Sequence, residues 1–496
     1  MPPDLYTYYL FYNAHRIKVT IELLLQQGIE LTKQGRLRQA ASLFERMLDM
    51  YPEEPRALFN AAVVADLLGQ RKHALNLLHR SISADPTFAN PHNYLGQLYL
   101  QSGNYTEAYQ AFRNTIMRDV EFAAAYEGIK NVSFALGQAV IGDKADIVFY
   151  TGGHPFHGRT IEERGLGGSE SALVFIARVF ASNGFRVRVF CNCDKPGDYD
   201  GVYYANLVDF HIYRQQYSMP VFISSRSMRP FKIALNAKMR ILWIHDHTNV
   251  AFLEGENPGC LSLDSIFAIS RWQRDEWSRY FNIPNDCFFL TRNGVDLTVF
   301  RPRERRNRNR LVYVSRPNRG LDVLLRLFPH IRQRIPDAEL HIYTYQLPDD
   351  RIESTVTQLT QQPGVFMRGS MHKASLATEL SIARLMLYPC TFYETSCIAA
   401  IEAQASGTPV VASTLAALSE TVLNNVSGYL IPGDPYTAEF GQHFVETVVD
   451  LMQNEEAWQR LSHEARCRAE LLYDWNIIAK DWLEEFSRLV CRKNKL

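Results

Sequence analysis

The chain has 496 residues, of which 46% are hydrophobic and 21% are charged, values typical of a soluble globular protein with about three domains. Its 53 basic and 53 acidic residues cancel, so the formal net charge at pH 7 is zero. This balance excludes a general electrostatic attraction to nucleic acid or to an anionic membrane.

The beginning of the sequence does not have the pattern of a secretory signal peptide. Asp4 is acidic, and the apolar stretch from Tyr8 to Tyr12 is too short for the hydrophobic part of such a signal. No stretch of the sequence is long and apolar enough to span a bilayer. The eight cysteines are sparse and lack the spacing of a disulfide framework. We therefore expect a cytoplasmic protein, either free or peripheral to a membrane.

The first third of the chain repeats with a period of 34 residues. Small residues, glycines, alanines, large apolar residues and prolines each recur in one register. These positions are Gly28, Ala62 and Gly96; Gly35, Gly69, Gly103 and Gly137; Ala40, Ala74 and Ala108; Phe44, Leu78 and Phe112; and Pro52 and Pro86. The small residue of the first column lets paired helices approach closely. The glycine seven residues later ends the first helix, and the proline ends the unit. The pattern predicts helical repeats over residues 18–140.

This pattern resembles the tetratricopeptide repeat, with three full repeats and one further helix between Ile21 and Gln138. Arrays of this kind present a concave groove, so the resemblance implies that a peptide or a partner protein binds there. A rigid spacer or a dimerisation surface is the alternative, because the fold supports both uses. The sequence does not identify a ligand for the groove.

From Lys144 onward, short β-rich runs alternate with amphipathic helical stretches, which predicts parallel sheets with helices on both faces. The predicted strands are Asp146–Tyr150, Val187–Phe190, Val221–Ser224, Ile241–Ile244, Ser265–Ile269, Phe288–Leu290, Leu311–Val314, Leu340–Tyr343, Val365–Met367, Leu385–Tyr388 and Val410–Ala412. About 350 residues are too many for one such sheet. We predict two doubly wound α/β domains, over residues 144–300 and 308–475, and a final helix over 476–496.

An arginine-rich segment separates the two predicted α/β domains. Its arginines are Arg301, Arg303, Arg305, Arg306, Arg308 and Arg310. We interpret this segment as a solvated linker between the domains, and an anion-binding patch is the alternative.

The candidate site residues follow predicted strands, where ligands bind in folds of this class. Gly167, Gly168 and Ser169 open a helical stretch after the first strand, and their backbone N–H groups can approach a phosphate or a sugar. A simple helix cap by Ser169 is the alternative. His245 ends an apolar strand beside two other ionisable residues, so we expect it to point into the crevice rather than into the core.

Two arginines follow the predicted strand Leu311–Val314. Arg316 and Arg319 stand just before a predicted helix, and Gly320 comes directly after them. Cations in this place can bind a diphosphate leaving group, which departs as an anion. A surface loop with two arginines is the alternative.

Glu394 precedes a predicted helix and Glu402 lies eight residues later, a separation of roughly 12 Å along a helix axis. This separation excludes a close acid–base pair, but it suits two residues that bind opposite ends of one extended ligand. Between them, the backbone amides of Thr395, Ser396 and Cys397 are free to bind phosphate. A sugar at one end, a ribose at the other and a diphosphate between them fit this geometry.

These motifs together resemble the retaining glycosyltransferases of family 4, whose GT-B fold consists of two Rossmann-like domains. The resemblance covers about residues 146–482. The matching segments are Glu394 to Glu402 with the following Ala403–Val411, Gly167–Glu170, His245-Asp246, Arg292–Asp296 and Arg319–Asp322. The stretch Trp475–Leu489 resembles the C-terminal helix that returns to the first lobe in this fold.

The resemblance implies a sugar transfer from a UDP- or GDP-linked donor to an acceptor, with retention of configuration and with no metal or other cofactor. Residues 144–300 would form the acceptor side and residues 308–475 the donor side. The two residues Cys191 and Cys193 lack a second ligand pair for a metal, so we interpret them as packing at a strand end.

The resemblance also implies roles for single residues. Glu402 would bind the ribose, Glu394 the hydroxyl groups of the donor sugar, and Arg319 the diphosphate. His245 would lie near the donor sugar and Gly168 near the phosphates. We therefore predict His245, Glu394 and Arg319 as the catalytic residues.

The sequence departs from the family pattern at Arg316. This residue stands three positions before Arg319, whereas the family often has about six, so the role of Arg316 stays open. The repeats would recruit a protein acceptor or another partner. Some protein O-glycosyltransferases also join tetratricopeptide repeats to a GT-B region, but their catalytic half belongs to a different family, so this likeness concerns architecture alone. The alternative is a repeat scaffold with a degenerate, nucleotide-binding GT-B region.

Overall fold

The computed structural model describes residues 19–136, 143–248, 257–304, 306–344 and 356–494. They form two compact units: a helical unit built mainly from the residues before Lys144, and an α/β unit built mainly from the residues after it. No described helix is long and apolar enough to cross a membrane.

The helical unit consists of seven helices within the described residues. They are α1 (19–33), α2 (Leu37–Met50), α3 (Pro55–Leu67), α4 (Arg71–Ala84), α5 (Ala89–Gln101), α6 (Tyr105–Arg118) and α7 (Ala123–Leu136). The turns inside the first three pairs contain Gly35, Gly69 and Gly103, each with a positive φ between 73° and 78°, where glycine is favoured. Three helix pairs and one further helix are therefore present, as predicted, although Gly137 lies outside the described residues.

The small residues of the repeat leave space for an aromatic ring of the paired helix. A Cβ atom at Gly28 would lie 2.4 Å from the ring of Phe44, and one at Gly96 would lie 2.6 Å from the ring of Phe112. Both phenylalanine side chains are fully buried. The 16-residue spacing from glycine to phenylalanine therefore fixes how closely the two helices of a repeat pack.

The α/β unit contains two sheets. The first has eight strands in the order β3-β4-β2-β1-β5-β6-β7-β8, and the second has six in the order β11-β10-β9-β12-β13-β14. The first-sheet strands are β1 (Ile147–Thr151), β2 (Val187–Cys191), β3 (Gly197–Tyr199), β4 (Val202–Asn206), β5 (Met219–Ser225), β6 (Ala237–Trp243), β7 (Ser265–Ala268) and β8 (Phe288–Leu290). The second-sheet strands are β9 (Arg310–Val314), β10 (Glu339–Tyr343), β11 (Val365–Met367), β12 (Leu385–Tyr388), β13 (Val410–Ser413) and β14 (Gly428–Ile431).

All eleven predicted strands are present, and β3, β4 and β14 were not predicted. The strand pairs are parallel apart from β3, which runs antiparallel to β4 at the edge of the first sheet. Two parallel sheets of this kind, each with helices between its strands, are the two Rossmann-like halves of a GT-B fold. We call each sheet with its helices a lobe.

Helices connect the strands of both lobes. They are α8 (Thr160–Glu163), α9 (Gly168–Ser182), α10 (Leu207–Gln216), α11 (Arg271–Phe281), α12 (Leu321–Arg334), α13 (356–359), α14 (Lys373–Ile382), α15 (Ile398–Ala405), α16 (Leu418–Thr421), α17 (Ala438–Gln453), α18 (Glu455–Leu472) and α19 (Trp475–Lys493). Short 3₁₀ helices cover Arg229–Lys232, Pro258–Cys260 and Asn285–Cys287.

The last helix, α19, packs into the core of the first lobe although it follows the second lobe in the chain. The ring of Trp482 lies edge-on to those of Trp243 and Phe267, each at a centroid distance of 4.9 Å. A Cβ atom at Gly294 would lie 2.6 Å from the ring of Trp475. The segment Arg292–Asp296, which resembles a family motif, therefore gives α19 room to dock.

The interpretation of the arginine-rich segment as a solvated linker is wrong for Arg306. Its guanidinium donates to Thr408 Oγ1 at 2.9 Å and to the carbonyl oxygen of Ser406 at 2.7 Å, and it lies 5.1 Å from the ring centre of Trp458. Burial lowers the pKa of Arg306 to about 10. This arginine fastens the segment to the second lobe, whereas Arg305 lies outside the described residues.

Candidate functional site

Arg319 and Glu394 lie together at the carboxyl ends of β9 and β12. Gly320 forms the N-cap of α12 with a φ of 91°, and a Cβ atom there would lie 2.0 Å from the carbonyl oxygen of Pro389. The turn after β9 therefore packs directly against the loop after β12. Arg319 Nη1 donates to Glu394 Oε1 and completes a salt bridge.

Glu394 is buried, with 5% of its surface exposed. The hydroxyl of Tyr388 donates to its Oε1 at 2.5 Å, and the guanidinium of Arg319 lies 4.3 Å from the ring centre of Phe392. Burial opposes the charge of Arg319, but the neighbouring carboxylate outweighs burial and raises the pKa of Arg319. The residue predicted to bind the donor sugar is thus paired with the residue predicted to bind the diphosphate.

We expect Gly320→Ala to lower the free energy of unfolding of the α/β unit by about 2–4 kcal/mol, because the new Cβ collides with fixed backbone. Gly433→Ala is the matched control in the same lobe: its φ is 100°, but a Cβ there meets nothing within 4 Å. The control should cost only about 1–2 kcal/mol of backbone strain. Urea unfolding measures both losses, and equal losses would show that the contact with Pro389 is unimportant.

Glu402 has a different partner. It lies on α15 with 3% of its surface exposed, and its Oε1 accepts from Nζ of Lys373, the first residue of α14. Burial raises the pKa of Glu402, and the ammonium of Lys373 opposes this rise. Lys373 was not predicted as a site residue, because one lysine at the start of a helix carries no signal of its own.

The turn between Glu394 and α15 carries backbone N–H groups that donate to no group in the described part of the chain. They belong to Thr395, Ser396 and Cys397, and α15 begins directly afterwards at Ile398. Thr395 also joins the lobes, since its hydroxyl donates to the carbonyl oxygen of His245 at 2.6 Å. The three N–H groups that were predicted to bind phosphate therefore have no acceptor among the described residues.

His245 follows β6 and lies beside Trp243, with a ring centroid distance of 4.3 Å. Its surface is 8% exposed. Burial, and then the nearby positive charge of Arg226, lower the pKa of His245 well below its usual value. The imidazole is therefore neutral at pH 7, and its Nε2 is buried without a hydrogen-bond partner among the described residues. A buried unpaired nitrogen of this kind is a candidate to contact a ligand.

The lowered pKa of His245 makes the stability of the α/β unit depend on pH. Below the ordinary value of 6.5, the unfolded chain binds a proton at His245 that the folded protein does not. The free energy of unfolding should therefore fall as the pH decreases from about 6.5. His245→Asn should reduce this slope in unfolding experiments at pH 7.5 and 5.5, and an unchanged slope would contradict the assignment.

For the loop before α9, a binding role for its backbone N–H groups was predicted, and a simple helix cap by Ser169 was the alternative. The alternative is wrong. The cap residue is Gly167, and the hydroxyl of Ser169 donates to Glu170 Oε2 at 2.9 Å. A Cβ atom at Gly167 would lie 2.4 Å from the same carboxylate oxygen, and one at Gly168 would lie 3.2 Å from the side chain of Ile398. The start of α9 therefore lies against the start of α15 in the other lobe.

Arg226 belongs to the site region but was not among the predicted site residues. It follows β5 with a positive φ of 66°, and it donates to both carboxylate oxygens of Asp246, at 2.6 and 3.1 Å. Its Nη1 also donates to Ser169 Oγ at 3.2 Å. Arg226 thus ties the α9 loop to the end of β6, and its place after a predicted strand was the signal that could have identified it.

Two further predictions concern Arg316 and a metal. The carbonyl oxygen of Arg316 accepts from the hydroxyl of Tyr313 at 2.7 Å, which holds the turn after β9. Cys191 and Cys193 are buried at the end of β2. Within the ranges that the structure describes, no group of three histidine, cysteine, aspartate or glutamate residues is placed to hold a metal ion.

Comparison with protein families gives two matches. Residues 308–454 match the family described as glycosyl transferases group 1, and residues 31–93 match the tetratricopeptide repeat. The first range contains Arg319, Glu394 and Glu402, and the second contains the first turns of the repeat array. These matches confirm both resemblances.

A curated relative supports the glycosyltransferase match. The chain is 29% identical over 248 residues to the MMP alpha-(1->4)-mannosyltransferase of Mycolicibacterium hassiacum, an alignment that covers 49% of this chain and 58% of the relative. The chain thus spans little more than half the length of this relative.

Solved structures confirm the fold of the α/β unit. Sucrose-phosphate synthase from Thermosynechococcus elongatus superposes with a TM-score of 0.56 at 17% identity, over 70% of this chain and 100% of that one. The Anabaena protein HepE in complex with UDP superposes with a TM-score of 0.52 at 15% identity, over 69% of this chain and 100% of that one. At these identities, the likeness concerns the fold alone.

Proposed function

We propose that this chain, in which a tetratricopeptide-repeat region precedes a group 1 glycosyltransferase domain of the GT-B fold, transfers a sugar from a nucleotide-sugar to an acceptor with retention of configuration. The observation that carries the proposal is the buried pair of Arg319 and Glu394 beside a turn whose backbone amides have no partner among the described residues. A cation, a carboxylate and free N–H groups are the groups that a diphosphate-linked sugar needs.

Donor binding would rearrange the two buried ion pairs. The diphosphate of a UDP- or GDP-linked sugar would take Arg319 and the amides of Thr395, Ser396 and Cys397, which leaves Glu394 to accept hydrogen bonds from sugar hydroxyls. Glu402 would accept from the ribose hydroxyls. The UDP in the HepE structure, which has the same fold, supports a nucleotide in this domain.

The transfer step needs no base from the protein in this proposal. The bond between the anomeric carbon and the phosphate oxygen breaks, and the acceptor oxygen bonds to the anomeric carbon on the same face. The acceptor proton passes to the departing phosphate oxygen. Arg319 stabilises the negative charge that develops on the diphosphate. The neutral His245, whose Nε2 is unpaired, hydrogen-bonds a donor-sugar hydroxyl.

The proposal divides the chain into working parts. Residues 144–300 would hold the acceptor, residues 308–475 the donor, and residues 476–496 would support the first lobe. The repeats over residues 18–140 would recruit a protein acceptor or partner. The match of residues 31–93 to the tetratricopeptide repeat supports this role, because stacked helical repeats present extended concave surfaces.

The experiment for the main proposal is a transfer assay with purified protein and a set of UDP- and GDP-sugars. We expect nucleotide release with one donor, and proton NMR of the product should show the same anomeric configuration as the donor. An inverted product would contradict retention. Nucleotide binding without turnover for every donor would favour the alternative, a repeat scaffold with a degenerate, nucleotide-binding domain. Absence of both turnover and nucleotide binding would contradict the proposal.

A further inference from the structure

A cavity with a volume of about 560 Å³ lies between the two lobes. Its walls come from the ends of β7 and β8 and the start of α11 in the first lobe. The second lobe contributes Ser396, α16 and the end of α18. Of the proposed donor residues, Ser396 lines its edge, whereas Arg319, Glu394 and Glu402 do not line it.

Three arginines and one glutamate are the charged residues of this wall: Arg271, Arg292, Arg468 and Glu420. Glu420 belongs to the second lobe and contacts the first lobe. Its two carboxylate oxygens accept from the backbone N–H groups of Arg271 at 2.8 Å and Trp272 at 2.7 Å, at the start of α11. These hydrogen bonds hold the carboxylate at the N-terminus of α11, where the helix dipole stabilises its negative charge. Within the described residues it forms no ion pair with the wall arginines.

Two of the three guanidinium groups have no carboxylate partner among the described residues. Arg292 pairs with Asp481 at 2.6 Å. Arg468, in contrast, donates to the backbone carbonyl of Glu420 at 2.7 Å, and its Nε is buried without a partner. Arg271 is exposed, and its guanidinium forms no hydrogen bond or ion pair in the described part of the chain. With the carboxylates of Glu420 and Asp481 set against the three arginines, one net positive charge remains at the cavity wall.

We propose that this cavity binds a phosphorylated small molecule about the size of a monosaccharide phosphate, with its phosphate held by Arg271 and Arg468. The volume exceeds what a phosphate ion fills and lies within the range of small-molecule sites. Arginine side chains favour phosphate because they donate in pairs. Because both lobes form the wall, the ligand stabilises the lobe arrangement of this structure. The proposal goes beyond the donor site and does not depend on catalysis.

Isothermal titration calorimetry with glucose 6-phosphate tests the site, with glucose as the uncharged comparison. The wild-type protein should bind glucose 6-phosphate and not glucose. Arg271→Ala, at an exposed position, should weaken binding at least about tenfold. Arg279→Ala, at an exposed position on the same helix but not in the cavity wall, is the matched control and should bind as the wild type does.

Two further variants separate this site from the donor site. Arg319→Met should leave glucose 6-phosphate binding unchanged, and Arg468→Met should weaken it like Arg271→Ala, once its circular dichroism shows a folded chain. Failure of the wild type to bind, or loss of binding only in Arg319→Met, would overturn the proposal. Thermal shifts with nucleotides on the same preparations report the donor site independently.

The same samples show whether the phosphorylated ligand is an acceptor or an effector. Glucose 6-phosphate incubated with protein and the active nucleotide-sugar is analysed by mass spectrometry. A glycosylated product identifies the ligand as the acceptor class, and an unchanged ligand that alters nucleotide release identifies it as an effector. Either result supports the site, and a bound ligand that does neither would contradict a functional role for it.

Discussion

Replacing Glu394 by alanine should lower the rate of sugar transfer about 10²- to 10³-fold, which is the loss seen when one electrostatic contact to a transition state is removed. The carboxylate is held by Arg319 and Tyr388 at a fixed position, so a donor sugar would meet an oriented acceptor of hydrogen bonds. The measurement is nucleotide release at saturating donor and acceptor, which gives kcat.

The same substitution should also affect stability, because it removes the partner of a mostly buried cation. One quarter of the Arg319 side chain is exposed, so we expect a loss of about 2–4 kcal/mol, at or below the range for a fully buried pair. The double variant Glu394→Ala/Arg319→Met should recover part of this stability and none of the activity. Tyr388→Phe, which removes one hydrogen bond, should cost only about 1 kcal/mol. A folded Glu394→Ala protein with wild-type kcat would show that this carboxylate is not part of the site.

Most of the fold is legible in the sequence because buried parallel strands are short apolar runs. In β1 and β2, for example, all residues are buried, and such runs alternate with amphipathic helices. The hairpin of β3 and β4 escaped notice because its strands are short and partly exposed. Its signal was the pair Asp200-Gly201, both with positive φ, which is typical of a tight hairpin turn.

Only part of the candidate site could be predicted from the sequence. His245, Arg319 and Glu394 follow strands, and the rule that ligands bind at strand ends identifies them. Their partners depend on tertiary packing. Lys373 lies 29 residues before Glu402, and no local pattern connects the two.

The contacts between the lobes were equally hidden in the sequence. Glu420 meets the start of α11 from about 150 residues away. The arginine-rich segment is a case in which local composition gave a wrong prediction, because tertiary packing determines the environment of Arg306. Its composition indicates a solvated linker, but the cavity between Thr408 and Trp458 takes up Arg306.

Replacing Glu402 by alanine should abolish the stabilisation of the protein by its donor nucleotide. A ligand that binds only the folded protein at one hundred times its Kd stabilises it by about 2.7 kcal/mol, which a thermal-shift assay detects. Without the carboxylate, the ribose loses its acceptor and Lys373 loses its partner. Glu484→Ala removes an exposed glutamate from a loose pair with Lys480 and is the control. It should leave the nucleotide shift unchanged.

Lys373→Met distinguishes a ribose contact from a purely structural pair. Burial raises the pKa of Glu402 and Lys373 opposes the rise. Removal of the lysine should therefore raise this pKa further, so that the carboxyl binds a proton at a higher pH than in the wild type. A protonated Glu402 accepts hydrogen bonds from the ribose less well. Nucleotide affinity in Lys373→Met should therefore increase between pH 6 and pH 8.5, whereas the wild type should change little. If affinity in this variant were independent of pH while Glu402→Ala still lost the thermal shift, Glu402 would support the site through packing and would not bind the ribose.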